Sequence, residues 1–220
     1  MVSDKPYIEL KNRKDRDRFY NGMTEEQKDA FSSITNNIFT FIEAAAGTGK
    51  TVVSCAAMID LLANDRINKI IYIQKVSQRF LQNGFLPGTM EDKTEALFNP
   101  VYDAMETLGF TPYEIQALRA GKLLQLTTDS NLRGVNFENA GVIVDEAENC
   151  DYETLKLIFT RCHDDCHIAL IGDSLQKDNK GIHNRDFVMY GRYLSSLGKS
   201  ISLTKNFRGK FSQLAEDFSV

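Results

Sequence analysis

A glycine-containing loop near the start of the chain constrains the fold more than any other feature. It lies in FIEAAAGTGKTVVS, residues 41–54, between a short β-prone apolar run and an apolar run of helix length. Strand, loop and helix in this order are typical of a phosphate-binding loop, GxxxxGK[ST]. Two glycines allow backbone conformations that direct successive N–H groups at phosphate oxygens. The predicted nucleotide-binding residues are Ala45, Ala46, Gly47, Thr48, Gly49, Lys50 and Thr51.

Three positions decide the chemistry of this loop. Lys50 supplies a positive charge for the β and γ phosphates, and Thr51 supplies a hydroxyl for Mg²⁺. The helix that follows directs the positive end of its dipole at the same anion. Ala44 stands where the pattern has its first glycine, and we expect it to be tolerated if its φ is negative. The alternative is a glycine-containing turn before an ordinary helix, which the flanking strand and helix patterns disfavour.

Composition and charge indicate a cytoplasmic enzyme domain. The chain has 220 residues, 42% of them hydrophobic and 25% charged, which suits one domain. No opening segment resembles a signal peptide and no apolar run could span a bilayer, so we expect no membrane association. The four scattered cysteines fit a reducing compartment. The net charge of −4 disfavours a protein that coats nucleic acid over its whole surface, but it leaves a local basic groove open.

Strand and helix patterns alternate along the chain. They predict an α/β fold with a mostly parallel sheet and helices on both faces. The predicted strands are 38–43, 69–74, 123–127, 142–145, 167–171 and 200–203. The predicted helices are 25–36, 51–63, 92–108, 112–120, 152–161, 185–196 and 210–218. We expect residues 1–220 to form a single domain with a helical and loop insertion at about 76–120.

The second chemical motif is GVIVDEAEN, residues 141–149, which carries two acids at the end of a buried strand. Ligands of open α/β sheets bind at this edge. Asp145 is predicted to bind Mg²⁺, mostly through water, and Glu146 to polarise the attacking water. Alone, such a pattern is more often a strand that leaves the core. About a hundred residues after a phosphate loop, it predicts a Walker B motif.

Two further segments supply polar groups for the same site. In HIALIGDSLQKD, a strand pattern precedes Asp173 and Gln176, which can sense a γ-phosphate; the alternative is an ordinary Asp-Ser turn. In MTEEQKDAF, Thr24 and Gln27 satisfy the capping-box pattern. Gln27 therefore has two interpretations, a helix cap or an amide that binds the adenine edge, and one side chain cannot fully do both.

Taken together, these motifs resemble the first motor domain of superfamily 1 helicases. The later LTKNFRG contains Arg208 and resembles the helicase segment that places an arginine at the γ-phosphate. Between the two Walker motifs the sequence is similar, almost without gaps, to the PhoH family of P-loop ATPases. The most specific part of this resemblance is GFLPGT with the residues that follow it up to Asp103.

The chain departs from the PhoH pattern in three places. Ala44 replaces the first loop glycine, and Glu148 stands where the family usually has glutamine. The Glu148 carboxylate is expected to lower nucleotide affinity or to loosen nucleotide choice. No second nuclease domain follows in the sequence, so we expect no ribonuclease activity.

The resemblance implies an enzyme that uses ATP and Mg²⁺ and acts in RNA or DNA metabolism. Family members look like ring-forming homo-oligomers, so the expected partner is single-stranded RNA or DNA and the expected assembly is a homo-oligomer such as a hexameric ring. In a ring, an arginine from one subunit completes the site of the next, and Arg161 and Arg208 are the candidates. Arg161 has a second interpretation as a cation at a helix C-terminus.

Two other clusters have weaker functional interpretations. RCHDDCHIA places Cys162, His163, Cys166 and His167 in a short connection, where reduced cysteines are favoured over half of a zinc site. KNRKDRDR, residues 11–18, mixes both signs of charge, which favours a solvated face over a phosphate contact.

The sequence thus predicts a Mg²⁺-dependent ATPase on a RecA-like α/β core, coupled to nucleic-acid remodelling. Thr51 and Asp145 are the predicted metal-binding residues. Two alternatives stay open: a nucleotide-dependent switch or chaperone that binds a protein partner through residues 85–103, and a degenerate fold that binds ATP without useful turnover. The predicted catalytic residues are Glu146, Gln176, Arg208 and Arg161.

Overall fold

A six-stranded sheet with the strand order β3-β2-β4-β5-β1-β6 forms the centre of the fold. The computed structural model describes residues 14–76, 95–132, 134–174 and 183–207. All neighbouring strands of this sheet are parallel, and the predicted strands are confirmed. The strands are β1 (Phe39–Ala44), β2 (Lys69–Gln74), β3 (Leu124–Thr128), β4 (Ala140–Asp145), β5 (His167–Gly172) and β6 (Gly198–Leu203).

Seven α-helices cover this sheet within the described ranges. Because none of them is both long and apolar enough, no helix in those ranges could cross a bilayer. The predicted helix at 210–218 and the GFLPGT segment lie outside the described residues. The helices are α1 (Lys14–Gly22), α2 (Glu25–Asn36), α3 (Lys50–Ala63), α4 (Asn99–Thr107), α5 (Pro112–Ala120), α6 (Tyr152–Phe159) and α7 (His183–Leu194).

The sheet buries both of its faces, which explains why its strands are nearly continuous apolar runs. In β4, Ile143 belongs to the core under α2, α3, α4 and α5, whereas Val142 and Val144 belong to the core under α6 and α7. Strand β1 alternates in the same way, with Ile42 on the first face and Phe41 on the second. Helices therefore lie on both faces, and the predicted RecA-like α/β fold is confirmed.

Two helices differ from their sequence-based predictions. Helix α1 was not predicted, because its mixed charges indicated only a solvated face. Its Phe19 and Tyr20 nevertheless pack against the core, and the Tyr20 hydroxyl donates to the Ala56 carbonyl at 3.1 Å. The predicted helix at 92–108 is interrupted by a turn at 97–98, after which α4 begins at Asn99 with Pro100 in its first turn, where proline suits a helix start; residues 92–94 lie outside the described residues.

The strand order places the sequence motifs at one edge of the sheet. Strand β5 lies between β1, which leads into the phosphate loop, and β4, which ends at Asp145. On the other side of β4, the last residue of β2, Gln74, pairs in register with Asp145. The carboxyl ends of parallel strands meet at one edge, so these groups lie close together.

Candidate active site

The phosphate loop connects β1 to α3 and depends on two left-handed glycines. Gly47 has φ of 79° and Gly49 has φ of 82°, a region that side chains with a Cβ rarely adopt. Gly49 is the N-cap of α3 and makes no side-chain capping bond. The first N–H groups of α3 therefore lack the usual side-chain cap, which leaves this helix end suited to an anion.

Three donors from outside the loop bind three successive loop carbonyls. Asn206 Nδ2 lies 3.2 Å from the Ala46 oxygen, and the Phe207 N–H donates to the Gly47 oxygen at 2.8 Å. Gln27 Nε2 donates to the Thr48 oxygen at 3.1 Å. In a trans peptide the carbonyl and the following N–H point in opposite directions. Outward carbonyls therefore direct the next amide groups toward the inside of the loop.

Gln27 combines the predicted helix cap with this loop contact. Its Oε1 accepts from the Thr24 N–H at 3.1 Å, and its own N–H donates to the Thr24 hydroxyl at 3.2 Å. The capping box is therefore confirmed. The amide nitrogen is bonded to the loop, a contact that the sequence did not suggest. A contact with adenine stays a prediction.

The two predicted metal-binding residues meet directly. The Thr51 hydroxyl donates to Asp145 Oδ2 at 2.8 Å, and the Glu146 N–H donates to Asp145 Oδ1 at 2.8 Å. Asp145 is only 2% exposed. A threonine hydroxyl beside a carboxylate forms a set of hard oxygen donors, which fits Mg²⁺. The residues present are therefore compatible with the predicted metal.

A groove of about 640 Å³ joins the loop to the acids. Lys50 lines it, and its Nζ lies 3.4 Å from the Ala45 oxygen. The Thr48 hydroxyl turns back into the loop and donates to the same oxygen at 2.9 Å. The far wall includes Asp103 of α4, within the predicted insertion. Of the predicted site residues, the groove lining brings together Gln27, Ala46, Gly47, Gly49, Lys50, Thr51, Asp145 and Glu146.

The chain matches a known protein family over most of its length. A family model described as PhoH-like protein matches residues 20–202, which includes the loop and both acids. The chain belongs to this PhoH-like family. The family resemblance predicted from the motifs is therefore confirmed.

Several PhoH relatives are similar over most of this chain. Protein PhoH of Escherichia coli K12 is 33% identical over 157 residues, which is 70% of this chain and 44% of that protein. PhoH-like proteins of Synechocystis and Mycobacterium leprae are 30% and 29% identical, and the matches cover 47% and 45% of those proteins. The chain thus spans less than half the length of these PhoH relatives.

Among solved structures, the similarity is weaker. A crystal structure of the DUF1998 helicase MrfA bound to DNA and AMPPNP matches with a TM-score of 0.48 and 12% identity. The match covers 94% of this chain and 30% of that chain. Likeness at this level supports no conclusion about the function of the PhoH-like chain.

The two side-chain departures from the PhoH pattern lie at the end of β1 and in the groove wall. Ala44 ends β1 with a negative φ, as its tolerance requires. Glu148 is 2% exposed and lines the groove, where its Oε2 accepts from the Asp173 N–H at 3.2 Å. Burial raises the pKa of Glu148 to about 7, although the backbone bonds and Lys50 oppose this. A pKa of about 7 means that the Glu148 carboxyl changes between its protonated and ionised forms near neutral pH.

Two residues of β2 that the sequence motifs did not indicate contact the acids. The Tyr72 hydroxyl lies 2.7 Å from Asp145 Oδ2 and 3.0 Å from Gln74 Oε1. Gln74 Nε2 donates to Glu146 Oε2 at 2.8 Å. The signal was a tyrosine and a glutamine two positions apart at the end of KIIYIQ, an otherwise apolar strand. Their position beside β4 is decided by strand pairing, which the motif alone does not give.

Glu146 is held in an unusual backbone conformation. Its φ of 49° and ψ of 40° are left-handed, which is strained for a residue with a side chain. Glu146 is an exposed residue, but the groove walls partly desolvate its carboxyl and raise its pKa, and the charge of Asp145 adds to this. Lys50 and the hydrogen bond from Gln74 lower it. A strained backbone and a shifted pKa are both common at functional sites.

Of the two predicted arginines, Arg161 lies within the described residues, and it is not next to the loop. Arg161 lies between α6 and β5, at the edge of the sheet opposite the phosphate loop. Its backbone oxygen accepts from the Phe137 N–H at 2.7 Å, whereas its buried Nε has no partner among the described residues. A catalytic role for Arg161 therefore requires a neighbouring subunit. Gln176 and Arg208 lie outside the described residues.

The cysteine and histidine cluster makes bonds to the backbone. Cys162 and Cys166 each donate to a carbonyl oxygen, at 3.5 and 3.2 Å, and His167 Nδ1 lies 3.0 Å from another. The described ranges contain no group of three or more histidine, cysteine and acidic side chains that could hold a metal ion. These contacts connect the start of β5 to its neighbours.

Proposed function

We propose that this PhoH-like chain binds ATP with Mg²⁺ in the groove and hydrolyses it. The observation that carries the proposal is the 2.8 Å contact between the Thr51 hydroxyl and the Asp145 carboxylate. These residues come from two motifs that are far apart in sequence. Their contact places a pair of hard oxygen donors beside the lysine and the uncapped helix end of the phosphate loop.

Each residue of the groove has a defined role in this proposal. The inward amide groups of the loop and the Lys50 ammonium bind and orient the phosphates. Thr51 and Asp145 hold Mg²⁺, which supplies positive charge against the phosphate oxygens when it is bound. Glu146 orients a water molecule and accepts its proton as the water oxygen bonds to the γ-phosphorus, while the bond from that phosphorus to the bridging oxygen breaks and ADP leaves. Gln176 and an arginine are expected to stabilise the transferring phosphoryl group.

We infer that the ATP cycle acts on single-stranded RNA or DNA within a homo-oligomer. The support is the family membership and the likeness of the motifs to superfamily 1 helicases. The position of Arg161, at the opposite edge from its own loop, favours its action on a neighbouring subunit in a ring. A switch that acts on a protein partner is the alternative.

Two variants test ATP hydrolysis. Lys50→Ala should lower ATP affinity or turnover by at least about tenfold, because phosphate charge is left poorly neutralised. Glu146→Gln should keep ATP affinity while hydrolysis falls by about a hundredfold, because the amide cannot accept the proton. Lys199→Ala and Glu138→Gln alter exposed side chains away from the groove and should behave as wild type. Normal hydrolysis by Glu146→Gln would contradict the proposed role of Glu146.

The nucleic-acid partner is tested by measuring ATP hydrolysis with and without single-stranded RNA and DNA. Polynucleotide should raise the rate, and its apparent affinity should fall steeply with salt because phosphate contacts release counterions. A rate that is indifferent to both polymers at low salt would favour the protein-partner alternative.

A further inference from the structure

The side chain of Gln74 connects β2 to the carboxylate proposed as the base. Gln74 is 2% exposed and is not among the described residues that line the groove. It therefore offers little surface to a nucleotide in the groove. Its Nε2 donates to Glu146 Oε2 at 2.8 Å. Any effect of Gln74 on hydrolysis should therefore act through its hydrogen-bonded neighbours, of which Glu146 is the proposed base.

Strand pairing fixes where this amide lies. Gln74 pairs in register with Asp145, the residue that precedes Glu146. In a parallel pair, side chains at matched positions project from the same face of the sheet. The Gln74 amide thus lies beside Asp145 and reaches the carboxylate of the next residue, Glu146.

The repulsion between acceptors favours one orientation of the amide. Gln74 Oε1 lies 3.0 Å from the Tyr72 hydroxyl, whose single proton has a second acceptor in Asp145 Oδ2 at 2.7 Å. A flipped amide would place Oε1 against a Glu146 carboxylate oxygen, where two acceptors repel each other while Glu146 is ionised. The orientation that directs the Gln74 N–H group at Glu146 is therefore the one that suits an ionised base.

We propose that Gln74 is a positioning residue that fixes the Glu146 carboxylate for proton transfer from water. The backbone of Glu146 is left-handed, and Gln74 occupies one of its two carboxylate oxygens. Glu146 itself lines the groove, and its second carboxylate oxygen is not needed for the bond to Gln74. A base that is held in one orientation spends less time in unproductive positions than a freely rotating one, and the reaction is therefore faster. The inference rests on the proposed ATP hydrolysis.

The main test replaces Gln74 with methionine. Gln74→Met keeps an unbranched side chain of similar length but removes the donor. We expect kcat to fall about tenfold while KM and the directly measured affinity for ATP stay within about twofold. Gln74→Glu places a second carboxylate against Glu146 and should lower kcat at least as much. Gln125→Met is the matched control, because Gln125 lies on the neighbouring β3 and its amide donates to the Lys122 oxygen at 3.3 Å.

A double-mutant cycle separates positioning from a general structural effect. In a Glu146→Gln background, Gln74→Met should change the residual rate by less than about twofold, because the base it positions is absent. A kcat for Gln74→Met equal to or above wild type would overturn the inference. Equal losses of rate in both backgrounds, or a matching loss of ATP affinity, would also overturn it. If Gln74→Met does not fold, the same comparison is made with Gln74→Glu. A wild-type chain that binds no ATP would instead contradict the proposed function.

Discussion

Replacing Glu148 by glutamine should make the stability of this PhoH-like protein less dependent on pH. Glu148 is buried two residues after Glu146, and burial raises its pKa from 4.5 to about 7. Glutamine has nearly the same shape, and its Oε1 can still accept from the Asp173 N–H. The substitution therefore removes the titration while it keeps the hydrogen bond.

The sign and magnitude of this pH dependence follow from the pKa of Glu148 in the unfolded chain, 4.5, and in the folded protein, about 7. Between pH 4.5 and about 7 the folded protein holds a proton on Glu148 that the unfolded chain has released. The wild-type free energy of unfolding should therefore fall as pH rises through this window. Each pKa unit corresponds to about 1.4 kcal/mol, so this effect amounts to about 2 to 3 kcal/mol between pH 5 and pH 8. Glu148→Gln lacks this loss and should gain stability relative to wild type by that amount.

The assay is reversible urea unfolding at several pH values between 5 and 8, without nucleotide. Other groups, including Glu146, titrate in both proteins, so their contributions largely cancel in the difference between the two curves. Glu138→Gln changes a more exposed carboxylate and should follow the wild-type curve. Wild-type and Glu148→Gln curves that stay parallel would refute the reasoning, because they would show that Glu148 does not keep its proton in the folded protein.

Three further predictions concern the loop and the assembly. Gly49→Ala should cost at least about 1 kcal/mol more unfolding free energy than Gly134→Ala. Both glycines have positive φ, but only at Gly49 would a Cβ meet a side-chain nitrogen, at 2.8 Å, and equal costs would contradict this. Asn206→Ala should weaken ATP binding about fivefold in a fluorescent-nucleotide titration without lowering kcat, because one loop carbonyl loses its donor; unchanged affinity would contradict it. Mixing Arg161→Ala with Glu146→Gln should restore some activity if the arginine acts between subunits, whereas mixed oligomers without activity would exclude that role.

Much of the fold and part of the site could be predicted from sequence because their signals are local. Apolar runs of strand length marked all six strands, and a Thr-x-x-Gln pattern marked the capping box of α2. Helix α1 was missed because only Phe19 and Tyr20 of its short, charged sequence pack on the core. Its stability comes from tertiary contacts, which periodicity does not reveal.

The sequence by itself predicted where the phosphate loop and the two acids lie along the chain. The predicted roles of Gly47, Gly49 and Lys50 depend on backbone freedom and charge, which are properties of a short segment. The contact between Thr51 and Asp145, and the amide of Gln74 behind Glu146, were decided only by the tertiary structure. These contacts join residues on separate strands and helices. Their distances depend on strand order and register, which arise from the packing of the whole sheet.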